Sequence, residues 1–234
     1  MKKFYKLVSH TPHSGGYHIL LDGRAVKRPS KAELVVPTQV MADEIVKEWA
    51  AQGEAVIPDT MPLTQILITC QDRVAQNRAS IQEGVLKYLD TDLICYPAEG
   101  PEGLSAMQDD RWGRWRGWFE SRFGVGLKTT TGLAALKQEK AAHEAALSYV
   151  GALDDERFTV LQLVTSLCGS LILALAFAEG EAEAQDILNA AFAEEDYHAG
   201  VYDAEKYGDD PMLAKRRDAM TRDLNAARVF LDCL

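Results

Sequence analysis

The chain has 234 residues, 47% hydrophobic and 26% charged, with 8 Pro and 17 Gly, a balance that excludes collagen-like, low-complexity and wholly disordered classes. Its net charge of -10 argues against a general nucleic-acid binder, which needs a cationic face to displace counterions. Cys70, Cys95, Cys168 and Cys233 lie far apart with no C-x-x-C pair, so neither a disulfide scaffold nor a cysteine-rich zinc site is expected, and the spacing suits a reducing compartment.

The N-terminal third reads as a small antiparallel meander. Phe4-Tyr5-Lys6-Leu7-Val8 is the first expected strand. His10-x-x-His13 then falls in a loop before Gly15-Gly16. Tyr17, Ile19 and Leu21 alternate with His18, Leu20 and Asp22, and Asp22-Gly23 signals a tight hairpin. Arg24–Lys27 is the return strand and Leu34-Val35-Val36 a further one, closed by Pro37. Residues 1–40 carry seven Lys/Arg and two acids, a local charge of +5.

Helical periodicity starts after Thr38, an N-cap candidate, and runs through Ile45, Val46 and Trp49 to Gly53. From Pro62 onward nearly everything predicts helix: 63–77, 80–95, 105–123, 137–152, 157–179, 181–199 and 210–232. Residues 160–178 hold no charge and would just reach across a bilayer, but Gln162, Thr165, Ser166 and Ser170 dilute them and both flanks are acidic. They read as the buried centre of a helical domain, with Leu167, Leu171 and Leu175 inside. The fold class is α+β: a small β-rich N-terminal domain with one or two helices over residues 1–78, then a larger all-helical C-terminal domain over residues 79–234. With no signal or transit peptide recognised, a soluble protein of the bacterial cytoplasm is expected.

Catalytic motifs are missing. There is no G-x-G-x-x-G, P-loop or G-x-S-x-G. Glu195-x-x-His198 has the spacing of a di-iron helix motif, yet Glu139 and His143 are four apart and give no second copy. A helical metal-dependent enzyme using Glu195 and His198 is the alternative reading; a solvated helix face is the plainer one. Arg111–Phe119 interleaves Trp112, Trp115 and Trp118 with Arg114 and Arg116. The stripe suits core packing with the arginines in water, or a partner surface, since Trp and Arg are enriched at interfaces. Glu194-Glu195-Asp196 cannot all be buried without partners, so the run is either a solvated helix end or an acidic docking point.

Several strings occur in order along the chain: Arg24 to Pro29 within LDGRAVKRP, Val36-Pro37-Thr38, Glu48-Trp49-x-x-Gln52, Met61-Pro62-Leu63-Thr64, Thr91-Asp92-Leu93-Ile94-Cys95-Tyr96, Gln108 with Trp112, and Gly169-Ser170-Leu171-x-Leu173-Ala174-Leu175-Ala176. Together they resemble the ATP synthase F(1) complex assembly factor 2 family, over nearly the whole chain. The resemblance implies a non-enzymatic chaperone without a cofactor. Its partner would be the unassembled alpha subunit of the F-type ATP synthase head, shielded from aggregation until it meets beta. It also implies an important acidic residue in a late helix, matched best by Glu195 and next by Glu194. The chain has His198 where the family tends to place Gln, Tyr202-Asp203 in place of Trp-Gly, and Gly113-Arg114 after Trp112 in place of Asp-Pro. Glu195, Glu194, His198 and Trp112 are the expected partner-binding residues; none is expected to be catalytic or to bind metal.

Overall fold

The structure, a computed structural model, describes residues 1–201 and 211–234. The chain divides into two compact units, Met1–Arg78 with Asn225–Leu234, and Ala79–Leu224.

In the first unit, β1 (Val8–His13) and β2 (Gly16–Leu21) pair antiparallel from Val8↔Leu21 to His13↔Gly16. Asp22 and Gly23 take φ of 47° and 82°, the two positive values a two-residue type I′ turn demands. β3 (Arg24–Ala25) and β4 (Val35–Val36) both pair with β2, at Leu20↔Ala25 and Tyr17↔Val36, so they share one edge rather than extending a meander. Gly16 is required there: a Cβ would stand 2.2 Å from the Val36 carbonyl oxygen. The first strand lies later than the sequence predicts, and His10 and His13 belong to it instead of a loop. Pro12 does not interrupt β1, because β1 is an edge strand, where a missing N–H is tolerated. Before β1, the Asp22 carboxylate accepts the amides of Lys6 and Leu7 at 3.1 and 2.8 Å, while the Leu7 carbonyl accepts the Asp22 amide at 3.0 Å.

α1 (Gln39–Ala50) starts where Thr38 Oγ1 accepts the Met41 amide, and buries Met41, Ala42, Ile45 and Trp49. α2 (Pro62–Thr69) has Pro at its first position, and the Glu48 carboxylate caps it by accepting the amides of Leu63 and Thr64 at 2.7 and 2.9 Å. A π turn, Cys70–Val74, leads straight into α3 (Ala75–Leu86), which kinks at Asn77. The expected helix 80–95 therefore begins as the end of α3 and finishes in two 3-10 turns, Lys87–Asp90 and Leu93–Cys95.

In the second unit, α4 (Glu102–Phe123) and α5 (Lys140–Ala152) precede α6 (Asp155–Cys168) and α7 (Leu171–Ala178). The expected single helix 157–179 is thus two. Gly169 closes α6 with a φ of +71°, and Ser170 Oγ caps α7 by accepting the Leu173 amide at 3.1 Å. α7 is the core, buried from Leu171 through Phe177. Leu171 and Leu175 are inside as predicted, whereas Leu167 is half-buried. No helix among the described residues is long and apolar enough to cross a membrane. The expected helix 181–199 is likewise two, α8 (Ala184–Ala191) and α9 (Ala193–Val201), broken at the buried Phe192. The last helix is α10 (Pro211–Asp232).

Candidate functional site

The α8–α9 break sets the site. Phe192 leaves the helical path at φ -109°, and its ring goes under two guanidinium groups of α10, Arg216 at 4.9 Å and Arg217 at 4.3 Å. Aromatic faces attract such cations, and the pair fixes α10 over the start of α9. The three following acids then point to different neighbours. Asp196 turns inward, accepting from Arg111 Nη1 of α4 at 2.6 Å and from Arg217 Nη2. Arg111 also donates to the Asn189 carbonyl at 2.9 Å. Glu195 stands at the rim with one ion-pair partner among the described residues, Arg216 Nη1 at 2.9 Å; the two side chains are 29% and 58% exposed. Glu194 faces outward, 3.7 Å from His198 Nε2 one turn on. α9 approaches α4 so closely that a Cβ on Gly103 would lie 2.9 Å from the Tyr197 ring.

Trp112 is 3% exposed and its Nε1 donates to the Ala190 carbonyl at 2.9 Å, satisfying the end of α8. It is buried beneath the helices and presents no surface to a partner in this structure. Trp115 is buried too and Trp118 half-buried. Arg114 stacks over the Trp115 ring at 4.2 Å and pairs with Asp186. Arg116, expected in water, donates instead to the Ile94 carbonyl at 2.9 Å and to Asp109 at 2.6 Å. The arginines of this stripe are thus engaged with their own unit.

Glu195 and His198 do not converge: one carboxylate is turned to Arg216, while the imidazole has Glu194 beside it. Among the described residues no three His, Cys, Asp or Glu side chains are grouped to hold a metal. His143, the other histidine of the metal reading, contacts Asp90 at 3.0 Å. Tyr202 and Asp203 lie outside the described residues.

Sequence reasoning missed two carboxylates. Asp196 was one of three acids in a row, and its signal is the Arg216-Arg217 pair in the last helix. Asp92 is fully buried, its oxygens accepting the amides of Ile94 at 3.3 Å and Ile172 at 3.1 Å. Burial pushes its carboxyl up to about 7 against those bonds. The nearby thiols of Cys95 and Cys168 are pushed up to about 12 by burial, which makes them poor nucleophiles.

Known proteins resemble this chain in sequence and fold. The pattern of the family described as ATP12 chaperone protein matches residues 2–120. The chain is 26% identical over 191 residues to Protein atp12, mitochondrial, of Schizosaccharomyces pombe, covering 76% of this chain and 66% of that protein, just under two thirds of its length. The crystal structure of Atp12 from Paracoccus denitrificans superposes with a TM-score of 0.88 at 27% identity, over 99% of this chain and 97% of that one. Atu1473 of Agrobacterium tumefaciens superposes with a TM-score of 0.90 at 34% identity, over 99% and 85% of the respective chains. Half the sequence fits the family pattern and nearly every residue has a structural counterpart, so the chain belongs to the ATP12 chaperone family.

Proposed function

We propose that this protein is an assembly chaperone of the F-type ATP synthase, acting in the cytoplasm without a catalytic site or cofactor, and that its client is the unassembled alpha subunit of the catalytic head. The carrying observation is the whole-chain likeness to Atp12, together with the family match. A free alpha subunit exposes the apolar surface it will bury against beta, and such a patch aggregates unless it is covered. Covering it needs a complementary surface of interface size, not reacting groups. Glu195 is the docking residue in this reading. Its carboxylate is at the rim, held by one half-exposed arginine that a client's donor can displace or join. Glu194 and His198 flank it on the exposed side of α9, and Trp112 supports the helices from below.

The test is co-expression. Alpha or beta subunits are produced alone and with this protein, and the soluble fraction of each is measured after centrifugation. Rescue of alpha with little rescue of beta is the expected result. Equal insolubility of alpha with and without the protein refutes the proposal, and equal rescue of both subunits refutes its client.

A further inference from the structure

The first unit holds a groove of 590 Å³, a volume in the range of pockets that take ligand side chains. Its floor is apolar, formed by Tyr5, Leu21, Val26 and Trp49, and the exposed side chains of Met1 and Phe4 continue that surface outward. Soluble proteins seldom leave such a run of large apolar groups open without a use. A second feature is independent of shape. Trp49 is 9% exposed and lines the groove, yet its buried Nε1–H has no acceptor. Buried indole N–H groups ordinarily find one, so the wall carries an unsatisfied polar group just beneath its apolar surface. A third lies in the sheet. Leu21 and Arg24 flank the two-residue turn, and the Val26 amide donates to the Ile19 carbonyl at 2.9 Å. By the alternation of an antiparallel pair, the intervening Ala25 turns its N–H and C=O away from β2. Ala25 is itself part of the groove wall.

Charge then selects the occupant. Arg24 and Lys27 stand exposed on the rim and form no ion pair among the described residues. Of the acids beside them, Asp22 is engaged by the amides of Lys6 and Leu7, and Glu33, across from Lys27, lies 3.4 Å from His18 Nε2. The rim belongs to a stretch of charge +5 in a protein of net -10.

We propose that this groove docks an extended peptide segment of a partner protein, one that seats a single large apolar side chain on the floor between flanking carboxylates. The backbone of the segment adds to the free edge at Ala25, in the manner of strand addition. Its acids meet Arg24 and Lys27. The inference goes beyond the alpha-subunit reading, because it needs neither Glu195 nor a particular client.

The probe is a fluorescein-labelled peptide Gly-Asp-Phe-Val-Glu-Gly, titrated with the full chain and followed by anisotropy. Saturable binding is expected. Arg24→Glu with Lys27→Glu should weaken it about tenfold, and a peptide with Lys in place of both acids should then bind the double variant better than the native chain. Phe4→Ala and Trp49→Phe should each weaken binding several-fold, as should Ala in place of the peptide's Phe. Melting temperatures identify any variant that fails to fold, and Phe4→Ala, at a residue 63% exposed, serves if the double variant does. No saturation by about 1 mM, equal binding of the acidic and lysine peptides, or affinity unchanged by the variants overturns the proposal. So does a self-associating chain whose dimer is lost in the double variant, since the groove would then hold a second copy.

Discussion

Glu195, the proposed docking residue, and Asp196 are neighbours on α9 with different surroundings, and exchanging each for its amide separates docking from stability. Glu195 holds one guanidinium at 2.9 Å with both side chains partly in water. Pairs of that kind contribute about 0.2–1 kcal/mol, and Gln can still accept from Arg216. In a chain of this size 1 kcal/mol moves the melting temperature by about 2–4 °C, so Glu195→Gln should lower it by no more than about 2 °C. Asp196 anchors Arg111 and Arg217 together, and both sit against Phe192 or the α8 carbonyls. Asp196→Asn leaves two half-buried cations without a counter-charge, which costs about 1–3 kcal/mol and lowers melting by about 2–12 °C. The order reverses for docking. Removing one partner of a desolvated charge pair in an interface costs about 2–5 kcal/mol, so Glu195→Gln should lose most of its protection of the alpha subunit. The assays are thermal melting, and light scattering of alpha subunit diluted from denaturant. A Glu195→Gln variant that melts and protects like the native chain refutes the docking role. One that loses both together makes Glu195 structural, and Glu194→Gln is then tested in the same way.

Two further outcomes are expected. Asp92 has its carboxyl raised from 3.8 to about 7 in the fold, so the folded chain binds that proton more tightly than the unfolded chain does. Its contribution to stability therefore falls as pH rises from about 4 to about 7, by on the order of 4 kcal/mol in all; relative to Asp92→Asn the native chain should lose melting temperature across that window, and a pH-independent difference between the two refutes the burial argument. Leu171→Ala empties a fully buried position in α7 and should cost about 2–5 kcal/mol in urea unfolding, against which a change within about 0.5 kcal/mol would show that the site collapses freely.

How far the fold is legible in the sequence depends on whether a signal is local. Asp22-Gly23 predicts its hairpin because two positive φ values are a demand on two residues alone. Thr38 predicts its helix because a cap acts three residues away. The uncharged run 160–178 hid the α6–α7 break for the opposite reason: apolar periodicity continues across it, since both helices are buried. Gly169-Ser170 nevertheless carries the two signals of a stop and a start. Phe192 carries none. It breaks a helix because its ring is stabilised under arginines more than twenty residues further on. The site inherits this limit. A run of three acids is readable, but which of them turns inward is decided by Arg111 and Arg217, far away in the chain.

The strings that carried the family resemblance turn out to be backbone-holding devices. Glu48 caps α2 at Leu63 and Thr64, so Glu48-Trp49-x-x-Gln52 and Met61-Pro62-Leu63-Thr64 meet in space. Gln52 Oε1 takes the Ile57 amide at 2.8 Å, and Gln108 Oε1 takes that of Ala98 at 2.7 Å. Asp92 reaches Ile172 just after Gly169-Ser170-Leu171, joining two more strings. Each device satisfies amides that are costly to leave unpaired, which permits few alternatives in side-chain length or chemistry. The proposed docking features, Glu195 at the rim of α9 and the groove beside Arg24, are under no such demand. A residue that holds the scaffold declares itself by its spacing from the amide it holds. A residue that meets a partner has its other half on another protein, and no spacing within this chain encodes it.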